Sequence, residues 1–203
     1  MNHLIVVGTR PGPNPRPHLG EMNTVAALVE RGTDIKVVRC EDPTKLPEIL
    51  RDACAEFFGG EPIDLLEIYD HASVRSQWLG SGVLFEYAAN KPNSVEGYDI
   101  ARQCRDHLRK DAQIRLLGCH LIIDQEDPTG EYASRVLLVR LAEAFGESRV
   151  VYGTNTKIDQ RSFTQNGLHR WLPDMALFSS QAAFDSAPAT YERRGSNLNE
   201  MIS

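Results

Sequence analysis

The sequence predicts an α/β fold, specifically a three-layer α/β/α sandwich around a mostly parallel sheet. Short runs rich in Ile, Leu and Val alternate along the chain with segments whose apolar residues recur at helical spacing. Such alternation is typical of β-α-β units, which build parallel sheets covered by helices. With 203 residues, 41% of them hydrophobic, the chain is long enough for one domain with a sizeable core.

The first half of the chain supplies strands and helices in alternation. The predicted elements are a strand at 3–9, a Pro-rich loop at 10–20, a helix from Met22 that ends at Gly32, a strand at 34–40 and a helix opened by Asp42-Pro43. The second helix has the clearest periodicity of the chain, with apolar residues at Leu46, Ile49, Leu50, Ala53, Phe57 and Phe58. This stripe predicts that the helix packs one face against the sheet.

The second half continues the alternation and then becomes irregular. The predicted elements are a strand at 63–70, a loop holding Trp78-Leu79-Gly80, a short extended piece at 83–87, a loop at 90–97, a helix marked by Ala101, Cys104 and Leu108, a strand at 114–118, a helix from Tyr132 to Phe145 and a strand at 149–153. Irregular polar sequence follows, with one apolar island at 175–178. We predict one α/β domain over 1–160 and, over 161–203, an irregular extension of it with a flexible tail.

Composition and charge narrow the classes of partner. The 22 basic and 28 acidic residues give a net charge of −6, which argues against nucleic acid as the main partner. No apolar run approaches the ~20 residues of a membrane span, so we expect a cytoplasmic protein without a membrane partner. The four cysteines form no C-x-x-C pair, so a structural zinc site is not predicted.

A histidine and a cysteine each follow a predicted buried strand. His71-Ala72 closes one Ile- and Leu-rich run, and Gly118-Cys119 closes another. Because the carboxyl ends of parallel strands meet at one sheet edge, the imidazole and the thiol can form a nucleophilic pair there. His71 would be the general acid and base, Cys119 the nucleophile, and the N–H groups of Ala72 and Cys119 the oxyanion donors. Spacing alone leaves open a buried core thiol and a structural histidine.

The order of these motifs resembles the caspase-like cysteine peptidases of clan CD, in which one hydrophobic block ends in His-small and a later one in small-Cys. Residues 63–159, about half of the chain, are most similar to bacterial caspase-like domains of the CHAT type and a related domain of unknown function. Trp78-Leu79-Gly80 matches a Leu-Gly segment of those domains. The resemblance implies a caspase-like fold, thiol endopeptidase activity through Cys119 and His71, a peptide or protein substrate, and no metal or organic cofactor. It leaves room for a regulatory protein partner.

Three positions of the family pattern bear on activity and specificity. The family's usual glycine after the histidine is Ala72 here, which suits catalysis unless the loop requires positive φ. A catalytically inactive caspase-like interaction module is therefore the alternative. The resemblance also implies that Arg10 can line the S1 pocket and select an acidic P1 side chain. Asp124, in the acidic loop after Cys119, would instead select a basic P1 residue, and a solvated loop is the plainer interpretation of both.

A second resemblance concerns the loop after the first strand. Gly8-Thr9-Arg10-Pro11-Gly12 is similar to the opening of UDP-N-acetylglucosamine 2-epimerases. The chain has neither G-x-G-x-x-G nor G-x-x-x-x-G-K-[ST], and prolines remove backbone N–H groups that would bind a phosphate. A nucleotide-sugar-binding α/β domain is therefore the less favoured alternative.

Overall fold

Strands and helices alternate in the computed structural model, which describes residues 1–9, 35–73, 75–88, 95–118, 121, 128–146, 148–154 and 175–178. The elements in these ranges are β1 (His3–Gly8), β2 (Ile35–Cys40), α1 (Leu46–Phe57), β3 (Ile63–Tyr69), β4 (Ala72–Ser73), β5 (Ser76–Leu79), β6 (Gly82–Tyr87), β7 (Val95–Glu96), α2 (Tyr98–Gln103), β8 (Leu108–Leu117), α3 (Pro128–Phe145), β9 (Val150–Thr154) and β10 (Met175–Phe178). Short 3₁₀ turns at Pro43–Lys45 and Arg105–His107 precede α1 and β8.

A six-stranded, mostly parallel sheet forms the centre of the fold. Its strand order is β10-β9-β8-β3-β1-β2, and all neighbours are parallel except the pair of β9 and β10. The prediction of an α/β fold with a mostly parallel sheet is confirmed. Because the five parallel strands run in one direction, their carboxyl ends lie at one edge, which we call the carboxyl edge.

A second, smaller sheet lies in the chain between β3 and α2. Its order is β4-β5-β6-β7, and every pair is antiparallel. The sequence predicts a loop at 78–80 and one extended piece here, whereas residues 76–79 form a strand of their own. Gly80 has a φ of 64° in the two-residue connection to β6, a conformation that glycine adopts without strain.

The described helices pack in series on one face of the central sheet. α1 contacts α2, and α2 contacts α3. The core on this face takes Leu4 and Val6 from β1 and Leu66 and Ile68 from β3, all of them fully buried. The second helical layer of the predicted sandwich would come from the helix between Met22 and Gly32, which lies outside the described residues.

The alternate positions of the same strands face the other side of the sheet, and many of them are buried too. Ile5, Val7 and Leu117 are at most 4% exposed. A chain of polar side chains runs between them: His3 Nε2 lies 3.0 Å from Glu67 Oε2, and Arg115 Nη1 donates to Glu67 Oε1 at 2.8 Å. All three side chains are buried.

In the central sheet, two further segments form strands that the sequence pattern did not indicate. Leu108, expected on a helix, begins β8, and the register shifts so that Ile63 pairs with Leu108 but Leu65 with Gln113. Residues 109–111 are polar and exposed, so this part of β8 lacks the apolar run by which a buried strand is predicted. The apolar island at 175–178 pairs antiparallel with β9, a partner distant in sequence. None of the helices in the described ranges combines the length and apolar character that crossing a membrane requires.

Candidate functional site at the carboxyl edge

The predicted histidine and the glycine of the predicted Gly-Cys pair follow neighbouring strands. β3 and β8 are adjacent and parallel, and Tyr69 is in register with Leu117 at their ends. One residue further, the Asp70 N–H donates to the Leu117 carbonyl at 3.2 Å. His71 and Gly118 therefore leave the sheet side by side at the carboxyl edge.

Gly118 brings the end of β8 into direct contact with the turn after β3. A Cβ added to Gly118 would overlap the Ala72 Cβ and would lie 2.9 Å from Ala72 N and 3.0 Å from Asp70 O. Two of these three atoms belong to the backbone and cannot turn aside, so a side chain at 118 requires the two strand ends to separate. The small residue before Cys119 is thus explained by close backbone approach.

Asp70 ties three segments together at this edge, and its side chain is only 2% exposed. Its Oδ1 accepts from the His71 N–H and its Oδ2 from the Gly80 N–H, each at 2.7 Å. A Cβ on Gly8, the last residue of β1, would overlap Oδ2 and lie 2.6 Å from Gly80 N. The carboxylate therefore holds the backbone of the turn.

The peptide plane between His71 and Ala72 is also fixed. The Trp78 N–H donates to the His71 carbonyl at 2.8 Å, and the fully buried Gln77 side chain lies beside it, with Nε2 3.4 Å from the same oxygen. In a trans peptide, the N–H points opposite to the C=O. The Ala72 N–H therefore points away from β5, and no hydrogen bond among the described residues engages it.

Ala72 stands in extended conformation as the first residue of β4. Extended backbone suits any residue with a Cβ, so alanine at this position costs no conformational strain. The turn therefore does not require a glycine with positive φ at this position. The His71 side chain beside it is exposed and so within reach of a dissolved reactant.

The described residues include only part of the predicted site. His71, Ala72 and Gly118 come together as stated, whereas Cys119, Arg10 and Asp124 lie outside the described residues. Sequence reasoning missed the role of Asp70 with Gly8 and Gly80. Two glycines in the sequence could have indicated this role: Gly8 at the end of β1 and Gly80 in the turn after β5.

The other three cysteines are core residues. Cys40, Cys54 and Cys104 are free and buried. Burial raises the pKa of Cys104 to about 12, and burial together with nearby carboxylates raises the pKa of Cys40 to about 12. The pKa of Cys54 is also raised, mainly by burial. These thiols stay protonated near neutral pH and are poor nucleophiles.

The crevice where α/β proteins often hold nucleotides is filled. That crevice lies between the strands from which the chain crosses in opposite directions, here β1 and β3. Between their ends stand the Asp70 carboxylate and the Gly80 backbone, both against Gly8. A buried carboxylate at this point disfavours a phosphate, which argues against the nucleotide-sugar interpretation of the loop that begins at Gly8.

Other features of the described residues lie away from this edge. A cavity of about 520 Å³ is lined by Met1, Asp64, Leu65, Asp111, Gln113, Arg115 and Tyr152. In the described ranges, no three His, Cys, Asp or Glu side chains cluster as they would around a metal ion. Comparison with protein-family models, curated proteins and solved structures found no significant match for this chain.

Proposed function

We propose that the chain is a caspase-like cysteine peptidase that hydrolyses peptide bonds through Cys119 and His71. The observation that carries the proposal is the close approach of Gly118 to Ala72 at the carboxyl edge. Cys119 directly follows Gly118 in the sequence, so we expect its thiol near the turn that carries His71. The substrate class is a peptide or protein, and a thiolate nucleophile suits the reducing cytoplasm.

The proposed chemistry uses side-chain and backbone groups of the chain together with one water molecule. His71 takes the Cys119 proton, and the thiolate attacks the peptide carbonyl carbon. The resulting oxyanion receives hydrogen bonds from the N–H groups of Ala72 and Cys119. The C–N bond then breaks as His71 protonates the leaving amine. Water, deprotonated by His71, next attacks the thioester carbon, and the C–S bond breaks to release the acid and regenerate the Cys119 thiolate. The direction of the Ala72 N–H, away from β5, supports its part as a donor.

We propose further that the fold is the complete three-layer sandwich. The burial of Ile5, Val7 and Leu117 on the sheet face opposite the described helices supports this. Parallel sheets bury both faces, and their strands then carry near-continuous apolar runs such as Leu4 to Val7.

The test is the pH dependence of alkylation at each cysteine, in the wild type and in His71→Ala. We expect Cys119 to react with iodoacetamide well below the ordinary thiol pKa of ~8.5 and to lose this reactivity without His71. Cys40, Cys54 and Cys104 are internal controls, because their raised pKa values keep them unreactive. An inert Cys119, or one indifferent to His71, would overturn the proposal.

One observation favours a second candidate, a catalytically inactive caspase-like module that binds a partner protein. The Ala72 Cβ is the atom nearest to the position that a Gly118 side chain would take, so it narrows the space between the two strand ends. Ala72→Gly distinguishes the candidates: if this change alone gives Cys119 His71-dependent reactivity that the wild type lacks, the native chain is the inactive module.

A further inference from the structure

We infer that Asp70 is a positioning residue of this site, which directs the Ala72 N–H without touching the substrate. The inference rests on the proposed function, because it concerns the same oxyanion donor. It is carried by the two hydrogen bonds of the Asp70 carboxylate, by its burial and by the backbone packed around it.

The carboxylate itself has little freedom to move. Each oxygen accepts one backbone N–H at 2.7 Å, and a hydrogen bond to an ionised acceptor is stronger than a neutral one. Gly8 lies against Oδ2, where no larger residue fits. The Gly80 backbone itself packs closely against the end of β2, since a Cβ on Gly80 would lie 2.6 Å from the Cys40 carbonyl oxygen. The position of Asp70 is thus determined by β1, β2 and the turn before β6.

This fixed carboxylate controls the two peptide planes that flank His71. Asp70 Oδ1 holds the His71 N–H and so sets the first plane. The Trp78 N–H holds the His71 carbonyl and so sets the second plane, which carries the Ala72 N–H. Rotation of the first plane would pull the second away from Trp78. The imidazole can reorient by rotation about its side-chain torsions, whereas the direction of the Ala72 N–H is set by the backbone alone.

Only a carboxylate satisfies both N–H groups at once. Asparagine has the same shape but offers one oxygen and one NH₂, so one backbone N–H would face a donor. The cost of such a buried, unpaired donor would be relieved by rotating the turn. Asp70→Asn is therefore a near-isosteric change that should misdirect the Ala72 N–H while leaving Cys119 and His71 present.

The experiment compares two reactions of Cys119 in the full-length protein. Alkylation by iodoacetamide forms a C–S bond as iodide leaves and creates no oxyanion. Acylation by p-nitrophenyl acetate passes through a tetrahedral oxyanion before p-nitrophenolate leaves with the electron pair. We expect Asp70→Asn to slow acylation by about tenfold or more, as loss of an oxyanion donor does, while the alkylation rate and its pH profile stay within about twofold.

The matched control is Asp42→Asn, since Asp42 also accepts a backbone N–H, that of Thr44, but on the surface. It should leave both rates unchanged. The inference alone is overturned if folded Asp70→Asn acylates at the wild-type rate, or if both reactions fall together. If Asp70→Asn does not fold, Asp70→Ser, which retains one acceptor, carries the same expectation. If the wild type is acylated no faster than Cys119→Ala, both the proposed function and this inference are overturned.

Discussion

The carboxyl edge around Asp70 and the carboxyl end of α3 solve the same problem with opposite charges. Backbone groups at the ends of helices and strands lack partners within their element. At the edge, one carboxylate accepts from two N–H groups. At the end of α3, the Arg149 guanidinium donates to the carbonyls of Phe145, Arg105, Leu108 and Arg109, and Arg105 donates to Glu143 and Ala144.

The two regions differ in how many backbone hydrogen bonds their central side chain can make. A guanidinium has five N–H donors on a rigid fork, and Arg149 uses them to join the end of α3 to Arg105 and to the first residues of β8. Burial and the Arg105 cation lower the pKa of Arg149. The guanidinium nevertheless stays charged near neutral pH. Asp70 has only two oxygens, and the Ala72 N–H in the same turn remains outside its reach. The end of α3 is a structural clamp, whereas in the turn after β3 no hydrogen bond among the described residues engages the Ala72 N–H.

The largest expected effect comes from crowding the carboxylate with Gly8→Ala. The new Cβ would overlap Asp70 Oδ2 and press on the Gly80 backbone. We expect the free energy of unfolding, measured in urea, to fall by about 3 kcal/mol. Gly82→Ala is the control, because its Cβ would meet only the Pro43 ring, with Cγ at 3.4 Å and Cδ at 3.8 Å, which are ordinary contact distances. Equal losses for the two variants would contradict the view that this edge is tightly packed.

Breaking the clamp at α3 should cost slightly less. Arg149→Leu leaves four carbonyls without their guanidinium donor, and we expect a loss of about 2–3 kcal/mol in the free energy of unfolding. Arg105→Leu, which frees only two carbonyls, serves as the graded control and should cost less. The opposite ranking in urea titrations would show that the clamp depends on Arg105 instead.

A double-mutant cycle measures the contact between the two strand ends. Gly118→Ala should cost about 2 kcal/mol, because its Cβ overlaps that of Ala72. In the Ala72→Gly background the cost should fall to about 1 kcal/mol, since the 2.9 Å contact with the backbone N remains. Additive losses would mean that the strand ends are further apart than described.

The smallest expected effect is on how stability depends on pH. It arises from one buried thiol in each region, Cys40 at the carboxyl edge and Cys104 near the end of α3. Both have a pKa of about 12 in the folded chain, against 9.0 for a free thiol. Above pH 9 the unfolded chain loses these protons while the folded chain keeps them, so stability falls as pH rises from 9 towards 12. We expect each thiol to account for about 1 kcal/mol of the loss between pH 7.5 and 10.

The measurement compares urea unfolding at the two pH values in the wild type, Cys40→Ala and Cys104→Ala. Each variant should lose its own share of the pH dependence, whatever its stability at pH 7.5. Unchanged pH dependence in both variants would mean that the two thiols titrate normally in the folded chain.

The sequence predicted the parallel sheet, and it placed His71 and Gly118-Cys119 after strands of that sheet, because Ile- and Leu-rich runs are local signals; His71 and Gly118 do follow neighbouring strands. It did not predict β5, whose strand character depends on pairing with β4 and β6. Nor could it assign Asp70, since that role arises from Gly80, ten residues away, and from Gly8 on another strand. Contacts between distant segments leave no periodicity in the chain.

The buried polar chain of His3, Glu67 and Arg115 has a consequence for how the strands find their alignment. Apolar strands such as β1 present similar side chains on both faces and could pair after sliding along one another. A slip of β3 by one residue would move the Glu67 carboxylate into the apolar core beneath the helices and leave Arg115 without its counter-charge. The three polar side chains therefore favour one alignment: in the observed register of β1, β3 and β8, the buried Glu67 carboxylate lies against both His3 and Arg115.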